Sequence, residues 1–336
     1  MSSTKIYKYD FTAYSGGSLP SPSLFFDFNS SGCLQADPNW NANPRATTRT
    51  IFTISTDGQN FSTGFSNAGG QGTGFFSAIY KIGSGCRVFD TKSGTVHGQW
   101  GFTGAIPIGD RFTMHEQTIG KSGDYVLIEG TACLSSTCLG SSAPNFSNTP
   151  YFWKVSSTNV NFASGARSGH YTEGHRHWMN NCQCNHLGQD AFRLFTSLNK
   201  PALLILNFPP GMTVPFDQHF SWNNVDANDT YPFVSSSWTG GSNLTFAWAN
   251  EILGTFPPNS LGIATGTVKR FAHSFITGRS QTFDTQWAIG QVSRDGKFFV
   301  FSSDWLGTLG AVGSSNLASC TIGSNCRGNV FIVELR

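Results

Sequence analysis

The chain has 336 residues, with 21 lysines and arginines against 19 aspartates and glutamates, so its net charge is +2 and charged residues make up only 12% of it. Glycine (38 residues) and phenylalanine (30) abound, while strong helix formers are sparse, which argues against a helical protein. A near-neutral chain without a run of lysine and arginine does not fit a nucleic-acid binder. No apolar stretch reaches the roughly 18 residues that a membrane span needs. The composition predicts a large all-β protein that neither binds nucleic acid nor inserts into a membrane.

The eight cysteines predict disulfides. An even count in a chain poor in charge is typical of a protein from an oxidising compartment. Two close pairs would each close one short loop and a third pair would span a longer distance, although the sequence does not fix the connectivity: Cys133–Cys138, Cys320–Cys326 and Cys33–Cys86. Zinc is the alternative, but the one-residue spacer between Cys182 and Cys184 suits structural zinc badly. We therefore expect a secreted protein, extracellular or periplasmic. Met1–Lys8 lacks a signal-peptide pattern, so we expect a mature form with an added start.

A short turn motif, Ser-x-Asp-Gly or a variant, recurs ahead of hydrophobic strands. Three copies are clear: Ser55–Gly58, Lys121–Asp124 and Ser293–Gly296. Weaker copies contain Asp190 and Asp229. The five turn aspartates, at positions 57, 124, 190, 229 and 295, are separated by 67, 66, 39 and 66 residues. Repetition on this scale indicates an array of similar units.

The repeats predict a single β-propeller domain over residues 1–336, with five to seven four-stranded blades. An Asp-Gly turn belongs between the two inner strands of a blade. The segment Lys5–Phe11 has the same character as Gly328–Val333, so we expect the N- and C-terminal strands to pair in one blade and close the ring. A β-helix and a double sandwich are the alternative folds.

The Ser-x-Asp-Gly turn followed by an aliphatic strand resembles the bacterial TolB-type and related WD-like propellers. The resemblance covers most of the chain as weak repeats, and it implies a fold rather than an activity. In such a fold, a functional site is expected where the inner strands open onto the central channel.

Histidines recur near the starts of the expected inner strands. A spacing of nine residues before the turn aspartate gives His115 and Gln286 in two repeats, and the irregular repeats carry His177 and His219 at longer offsets. Neutral imidazoles from separate strands are common ligands of divalent metals, and three histidines with one glutamine leave open positions. We therefore predict a channel site for a divalent metal (Mn, Zn or Ca). The alternative is that each histidine is structural and bonds to the backbone of a neighbouring blade.

The segment between the irregular repeats adds groups suited to acid/base chemistry, namely Tyr171, His175 and Arg176. The histidine and glutamine set is similar to that of the oligogalacturonate lyase family, which are propeller enzymes with a metal in the channel. The resemblance implies that the metal neutralises a uronate carboxylate, that a basic side chain removes the adjacent carbon-bound proton, and that the glycosidic oxygen leaves by β-elimination. It implies a base among Arg176, His175 and Tyr171.

Three functions follow as hypotheses. The first is a secreted metal-dependent polysaccharide lyase acting on an acidic polysaccharide. The second is a non-catalytic extracellular propeller that binds glycan or protein. The third is a surface or filament subunit that assembles with itself. Four tryptophans near Gly/Ser-rich turns are candidate sugar-stacking platforms: Trp222, Trp238, Trp248 and Trp305. His273 is expected to point off a half-buried outer strand.

Overall fold

The computed structural model describes residues 4–12, 16–18, 20–29, 32, 34–40, 53–65, 75–135, 138, 149–163, 168–182, 188–195, 198, 203–207, 216–231, 233–239, 251–256, 267–276, 290–311 and 326–335. In these ranges the chain is all β, with two short 3₁₀ turns (Leu34–Ala36 and Trp305–Gly307) and no α-helix. No helix found there is long and apolar enough to cross a membrane. The chain divides into two compact units, Met1–Gly165 and Ala166–Arg336. A single domain over residues 1–336 stays a prediction.

The first unit contains a strand pair and two antiparallel sheets in which each strand pairs with the next along the chain. The pair is β1 (Lys5–Lys8) with β2 (Ser23–Asp27). The six-stranded sheet consists of β3 (Thr53–Ile54), β4 (Asn60–Phe65), β5 (Phe76–Lys81), β6 (Gly85–Asp90), β7 (Thr95–Gly98) and β8 (Gly104–Ala105). The four-stranded sheet consists of β9 (Phe112–Ile119), β10 (Tyr125–Cys133), β11 (Thr149–Lys154) and β12 (Val160–Phe162).

The second unit contains three antiparallel sheets of the same up-and-down kind. The first consists of β13 (Ser168–Glu173), β14 (His177–Cys182), β15 (Gly188–Leu194) and β16 (Leu203–Asn207). The second consists of β17 (Phe216–Ser221), β18 (Phe233–Thr239), β19 (Glu251–Phe256) and β20 (Thr267–His273). The third consists of β21 (Gly290–Val292), β22 (Phe298–Ser303) and β23 (Asn329–Glu334).

Aromatic side chains fill the space between the two sheets of the first unit. Phe89 from the six-stranded sheet lies 5.7 Å, ring centre to ring centre, from Trp153 of the four-stranded sheet, and Phe112 stacks on Tyr151 at 4.0 Å. All four are fully buried. Large flat rings suit this role because they bury much area per residue between sheets. Packing between sheets therefore explains the phenylalanines of this core.

The turn Ser55–Asn60, between the first two strands of the six-stranded sheet, is held by its own side chains. The Asp57 carboxylate accepts from the Ser55 hydroxyl at 2.5 Å and from the Gln59 N–H at 2.9 Å. Gly58 has a φ of 72°, which a residue without Cβ adopts most easily. The sequence motif is thus a self-contained turn.

The turn Ser293–Phe298, between the first two strands of the last sheet, repeats these bonds. Asp295 accepts from the Ser293 hydroxyl at 2.6 Å and from the Lys297 N–H at 3.1 Å. Gly296 has a φ of 71°. Two of the three clear copies of the motif are therefore confirmed as equivalent turns.

The third clear copy is a turn at the predicted place, but the residue in the position of the turn aspartate is not the predicted one. The turn Gly120–Tyr125 joins β9 to β10, and Gly123 has the same positive φ, 75°. Here the Ser122 hydroxyl accepts from the Asp124 N–H at 3.2 Å, as Asp57 does in its turn. Ser122 therefore occupies the position of the turn aspartate, and Asp124 lies two residues later.

This shift changes which residue the spacing rule selects. Nine residues before Ser122 is Thr113, so His115 does not hold the position in its repeat that Gln286 holds in the last one. The weak copy at Asp190 is wrong for a different reason. Asp190 lies inside β15, where it pairs with Asn181, and not in a turn between the first two strands. The regular histidine spacing was therefore partly an effect of misaligned repeats.

In both units, two hydrogen bonds join neighbouring sheets in the same way: one between their first strands and one between the turns that follow those strands. In one, a backbone N–H of the later strand donates to a hydroxyl of the earlier one: Ile119 to Thr53 at 2.8 Å, and Val292 to Ser221 at 2.9 Å. In the other, an N–H in the earlier turn donates to a carbonyl in the later turn: Thr56 to Lys121 at 3.0 Å, and Val225 to Arg294 at 2.9 Å. Antiparallel sheets packed repeatedly through their first strands make the fold propeller-like.

The expected end-to-end pairing is not among the described ladders. Strand β1 pairs with β2, and β23 pairs with β22. The N-terminal strand therefore pairs with the next strand along the chain. Ring closure and the number of blades stay predictions.

The disulfide predicted between Cys133 and Cys138 is present, with 6.0 Å between the two Cα atoms. Cys86 and Cys326 are also disulfide-bonded. Their predicted partners, Cys33 and Cys320, lie outside the described residues.

Candidate functional site

The predicted acid/base segment forms the tight turn between β13 and β14. The Gly174 N–H donates to the His177 carbonyl at 2.8 Å and closes the turn. The N–H groups of His175, Arg176 and His177 all donate to the Asp229 carboxylate, at 2.7, 2.7 and 3.1 Å. Asp229 is 2% exposed and belongs to the turn between β17 and β18. Successive backbone N–H groups form an anion-binding nest, so this carboxylate fixes the turn of the neighbouring sheet.

The nest gives His177 a structural role. Its Nδ1 lies 3.2 Å from Asp229 Oδ2, and only 12% of its side chain is exposed. Of the three predicted bases, Arg176 is exposed, His175 is half-buried and Tyr171 is buried. Arg176 Nη2 is 3.4 Å from the side-chain oxygen of Asn228. The segment is therefore well ordered by its neighbour, and its role as a base stays a prediction.

The residues of the predicted metal set occupy different parts of the chain. His115 lies on β9 in the first unit, whereas His177 begins β14 and His219 lies on β17 in the second. His219 stands opposite Ser236 of β18. Gln286 lies outside the described residues. Among the described residues, His177 and His219 belong to no group of three or more His, Cys, Asp or Glu side chains with converging ligand atoms. The four-residue set stays a prediction.

A β-bulge brings His115 close to Glu116 and Glu129. Gln117 of β9 pairs with Ile128 and Met114 pairs with Gly130, so His115 and Glu116 together oppose the one residue between them, Glu129. Regular alternation would put His115 and Glu116 on opposite faces, but a bulge re-aims one of them. The ligand atoms of these three side chains lie within 4.8 Å of one another, with His115 Nδ1 3.3 Å from Glu129 Oε2. We call His115, Glu116 and Glu129 the bulge cluster.

The bulge cluster combines a buried and an exposed part. Glu129 is 3% exposed, whereas 45% of the His115 side chain faces solvent. One imidazole nitrogen and two carboxylates are a donor set that suits Mn²⁺ or Zn²⁺, and three protein ligands leave positions open for water or substrate. Ca²⁺ suits the cluster less well because it prefers oxygen ligands alone. The residues present therefore fit a divalent transition metal.

No periodic pattern in the sequence marks Glu116, Glu129 or Asp229 as a site residue. Glu129 sits in the apolar run of β10, and it meets His115 only through the bulge. Asp229 was recognised as a turn aspartate, but its partners lie more than 50 residues earlier in the chain. Both contacts depend on strand register and on sheet packing, which a single sequence does not specify.

Comparison with known proteins places the chain in no family. No protein-family model matches it, and no curated protein matches it. Among solved structures it is similar, at 12% identity, to a chain of the mitotic checkpoint complex (TM-score 0.39; 89% of this chain and 80% of that chain covered) and to U3-55K (0.39; 84% and 80%). It is also similar, at 12% identity, to the Kuenenia stuttgartiensis hydrazine synthase (0.37; 74% and 72%). At such TM-scores the likeness carries no argument about fold or function, and the propeller-like description rests on the sheets and turns.

Proposed function

We propose that the protein is a secreted, propeller-like protein that binds a divalent cation through the bulge cluster and acts on a glycan. The observation that supports the cation site is the convergence of His115, Glu116 and Glu129 within 4.8 Å. Two carboxylates this close repel each other when both are ionised, and one of them is buried, so a cation between them offsets an unfavourable interaction.

A divalent cation in the bulge cluster would supply Lewis acidity towards a carboxylate or hydroxyl group of a bound ligand. The protein's own contribution is to orient the three ligands. Glu129 is fixed by burial in β10, and the bulge in β9 directs His115 and Glu116 towards it. A site built on strands is more rigid than one built on loops, which favours a defined coordination geometry.

The reaction proposed for the glycan is β-elimination on an acidic polysaccharide. Its base is to be tested separately from the cation site, because Arg176, His175 and Tyr171 lie in the second unit and the bulge cluster lies in the first. This part rests on the resemblance to propeller lyases alone. Secretion is supported by the Cys133–Cys138 disulfide, because such bonds persist in oxidising compartments.

Titration of Mn²⁺ and Zn²⁺ into the chelator-treated full chain, followed by calorimetry, tests the cation site. Wild type is expected to bind about one equivalent of either ion. Glu129→Gln removes one charged ligand with little change in shape and should weaken binding at least about tenfold. Glu116→Gln serves as a second variant, because its half-exposed side chain is less needed for folding.

Glu334→Gln is the matched control, since Glu334 is exposed on β23 in the second unit. It should bind like wild type. Saturable binding that is equal in wild type, Glu129→Gln and Glu116→Gln would contradict the assignment of the ligands, and no binding to wild type would contradict the proposal.

A further inference from the structure

A row of aromatic rings lies at one surface of the second unit, where the end of β20 meets the turn after β22. The ring centres are 5.4 Å apart for His273 and Phe275, 4.6 Å for Phe275 and Trp305, and 4.6 Å for Trp305 and Phe331. Phe275 and Trp305 are 36% and 37% exposed. We call Phe275, Trp305 and Phe331 the ring row. Phe275 and Trp305 therefore present part of their rings to solvent.

The backbone beneath the ring row has a conformation that residues with side chains avoid. The φ angle is 49° at Phe275, 49° at Trp305 and 58° at Leu306. Surrounding bonds hold it there: the Leu306 N–H donates to the Phe275 carbonyl at 2.7 Å, and the Ser303 hydroxyl donates to the Ser274 carbonyl at 2.6 Å. Glycine would adopt these angles without strain, but the chain has bulky, exposed side chains instead. Strained positions fixed by their surroundings concentrate at ligand sites.

A polar group adjoins the ring row. Glu251, at the start of β19, stands directly opposite His273, at the end of β20, and is 3% exposed. His273 Nδ1 is 2.9 Å from Glu251 Oε1, and Arg270 Nε is 3.2 Å from Glu251 Oε2. About half of each outer side chain faces solvent, 54% for His273 and 47% for Arg270. The buried carboxylate fixes the imidazole by its Nδ1, which directs Nε2 away from Glu251.

We propose that the ring row and these polar side chains form a saccharide-binding site. A sugar ring has an apolar C–H face, which packs on an aromatic ring, and a rim of hydroxyl groups that need donors and acceptors. The ring row offers the first, and His273 and Arg270 offer the second. An apolar peptide or lipid chain on the same surface would desolvate the charged side chains without replacing their hydrogen bonds, which is unfavourable.

The structure bears on two of the four tryptophans that were predicted to be sugar-stacking platforms. Trp305 keeps its role as a candidate platform, whereas Trp222 is fully buried and donates its ring N–H to the Tyr231 carbonyl at 3.0 Å. Trp248 and the side chain of Trp238 lie outside the described residues. His273 is exposed on the outer strand, as expected, but its partner Glu251 was not foreseen.

Affinity gel electrophoresis of the full chain tests the proposal with four soluble polysaccharides: hydroxyethylcellulose, xylan, galactomannan and de-esterified pectin. The gels contain EDTA, so that saccharide binding is measured without the cation proposed for the bulge cluster. At least one polysaccharide should retard wild type. Trp305→Ala should weaken that binding at least about tenfold, because it removes the central ring.

Phe102→Ala is the control, since Phe102 is an exposed aromatic residue (75%) in the first unit. It should be retarded like wild type. If Trp305→Ala does not fold, Trp305→Phe, which keeps a ring, should bind more weakly than wild type, and His273→Asn should also weaken binding. Retardation of wild type by none of the four polysaccharides would overturn the proposal, as would equal retardation of wild type and the site variants.

Discussion

Replacing Asp229 with asparagine tests whether one buried carboxylate orders the turn of the neighbouring sheet. The carboxylate accepts three backbone N–H bonds from His175, Arg176 and His177, and its Oδ2 lies 3.2 Å from an imidazole nitrogen. Asparagine retains the size of the side chain and tolerates the positive φ of 57° at this position. The substitution therefore changes charge and acceptor number and little else.

The expected cost follows from these bonds. The amide has one acceptor oxygen, so one backbone N–H meets an NH₂ group and loses its partner, at about 1 kcal/mol or more. Each remaining bond loses its charge-assisted part, about 1 kcal/mol each. Asp229→Asn should therefore lower the free energy of unfolding by about 3–4 kcal/mol.

Urea unfolding followed by tryptophan fluorescence measures this loss, because Trp178 and Trp222 are both fully buried in the second unit. The control is Asp124→Asn. Asp124 is exposed and its N–H, not its carboxylate, bonds in the turn, so the change should stay within about 0.5 kcal/mol. A loss below about 1 kcal/mol for Asp229→Asn, or equal losses for both variants, would refute the reasoning.

Three further predictions concern backbone strain, buried charge and a disulfide. Gly58→Ala and Gly123→Ala place a Cβ at equivalent turn positions with φ of 72° and 75°. At Gly58 the Cβ meets no atom within 4 Å, so the free energy of unfolding should fall by about 1 kcal/mol. At Gly123 it meets a buried amide at 2.3 Å, so the free energy of unfolding should fall by about 2–3 kcal/mol. Gly109→Ala, with neither problem, should be neutral in the same urea series, and equal losses for the two turn glycines would contradict the argument. Burial, with a neighbouring carboxylate, raises the pKa of Asp37, so the folded state holds this proton more tightly and the resulting stability is lost as pH rises through the raised pKa. Asp37→Asn should therefore gain stability relative to wild type as pH rises above about 4, the ordinary pKa of an aspartate, in unfolding titrations, and a pH-independent difference would count against it. Cys133→Ser opens a disulfide that spans five positions and should cost about 2 kcal/mol in non-reducing urea titrations but nothing against reduced wild type.

Local features of the fold were predictable from the sequence, and long-range features were not. The turns at Ser55–Gly58 and Ser293–Gly296 are held by bonds within six residues, so their motif alone specifies them. In Lys121–Asp124 the acceptor is Ser122, and the glycine directly after it marks this position in the sequence, as Gly58 and Gly296 do in the other two turns.

The contacts that build the candidate sites are also long-range features, so the sequence did not predict them. The bulge that joins His115 to Glu129 changes the register by one residue, which the apolar pattern of β10 does not reveal. His273 was placed on an outer strand from its alternation, but its pairing with Glu251 depends on a register between two separate strands. Candidate ligand and binding residues could therefore be named from the sequence, but the residues that they contact could not.

Elemental analysis of the purified protein by mass spectrometry tests the central claim most directly, because it separates the two ligand sets. Wild type should contain about one equivalent of manganese or zinc. Glu129→Gln should lose it, and His219→Ala should keep it. Loss of the metal in His219→Ala with retention in Glu129→Gln would contradict the bulge cluster and favour the four-residue set, and a wild type without stoichiometric metal after growth in metal-replete medium would contradict both.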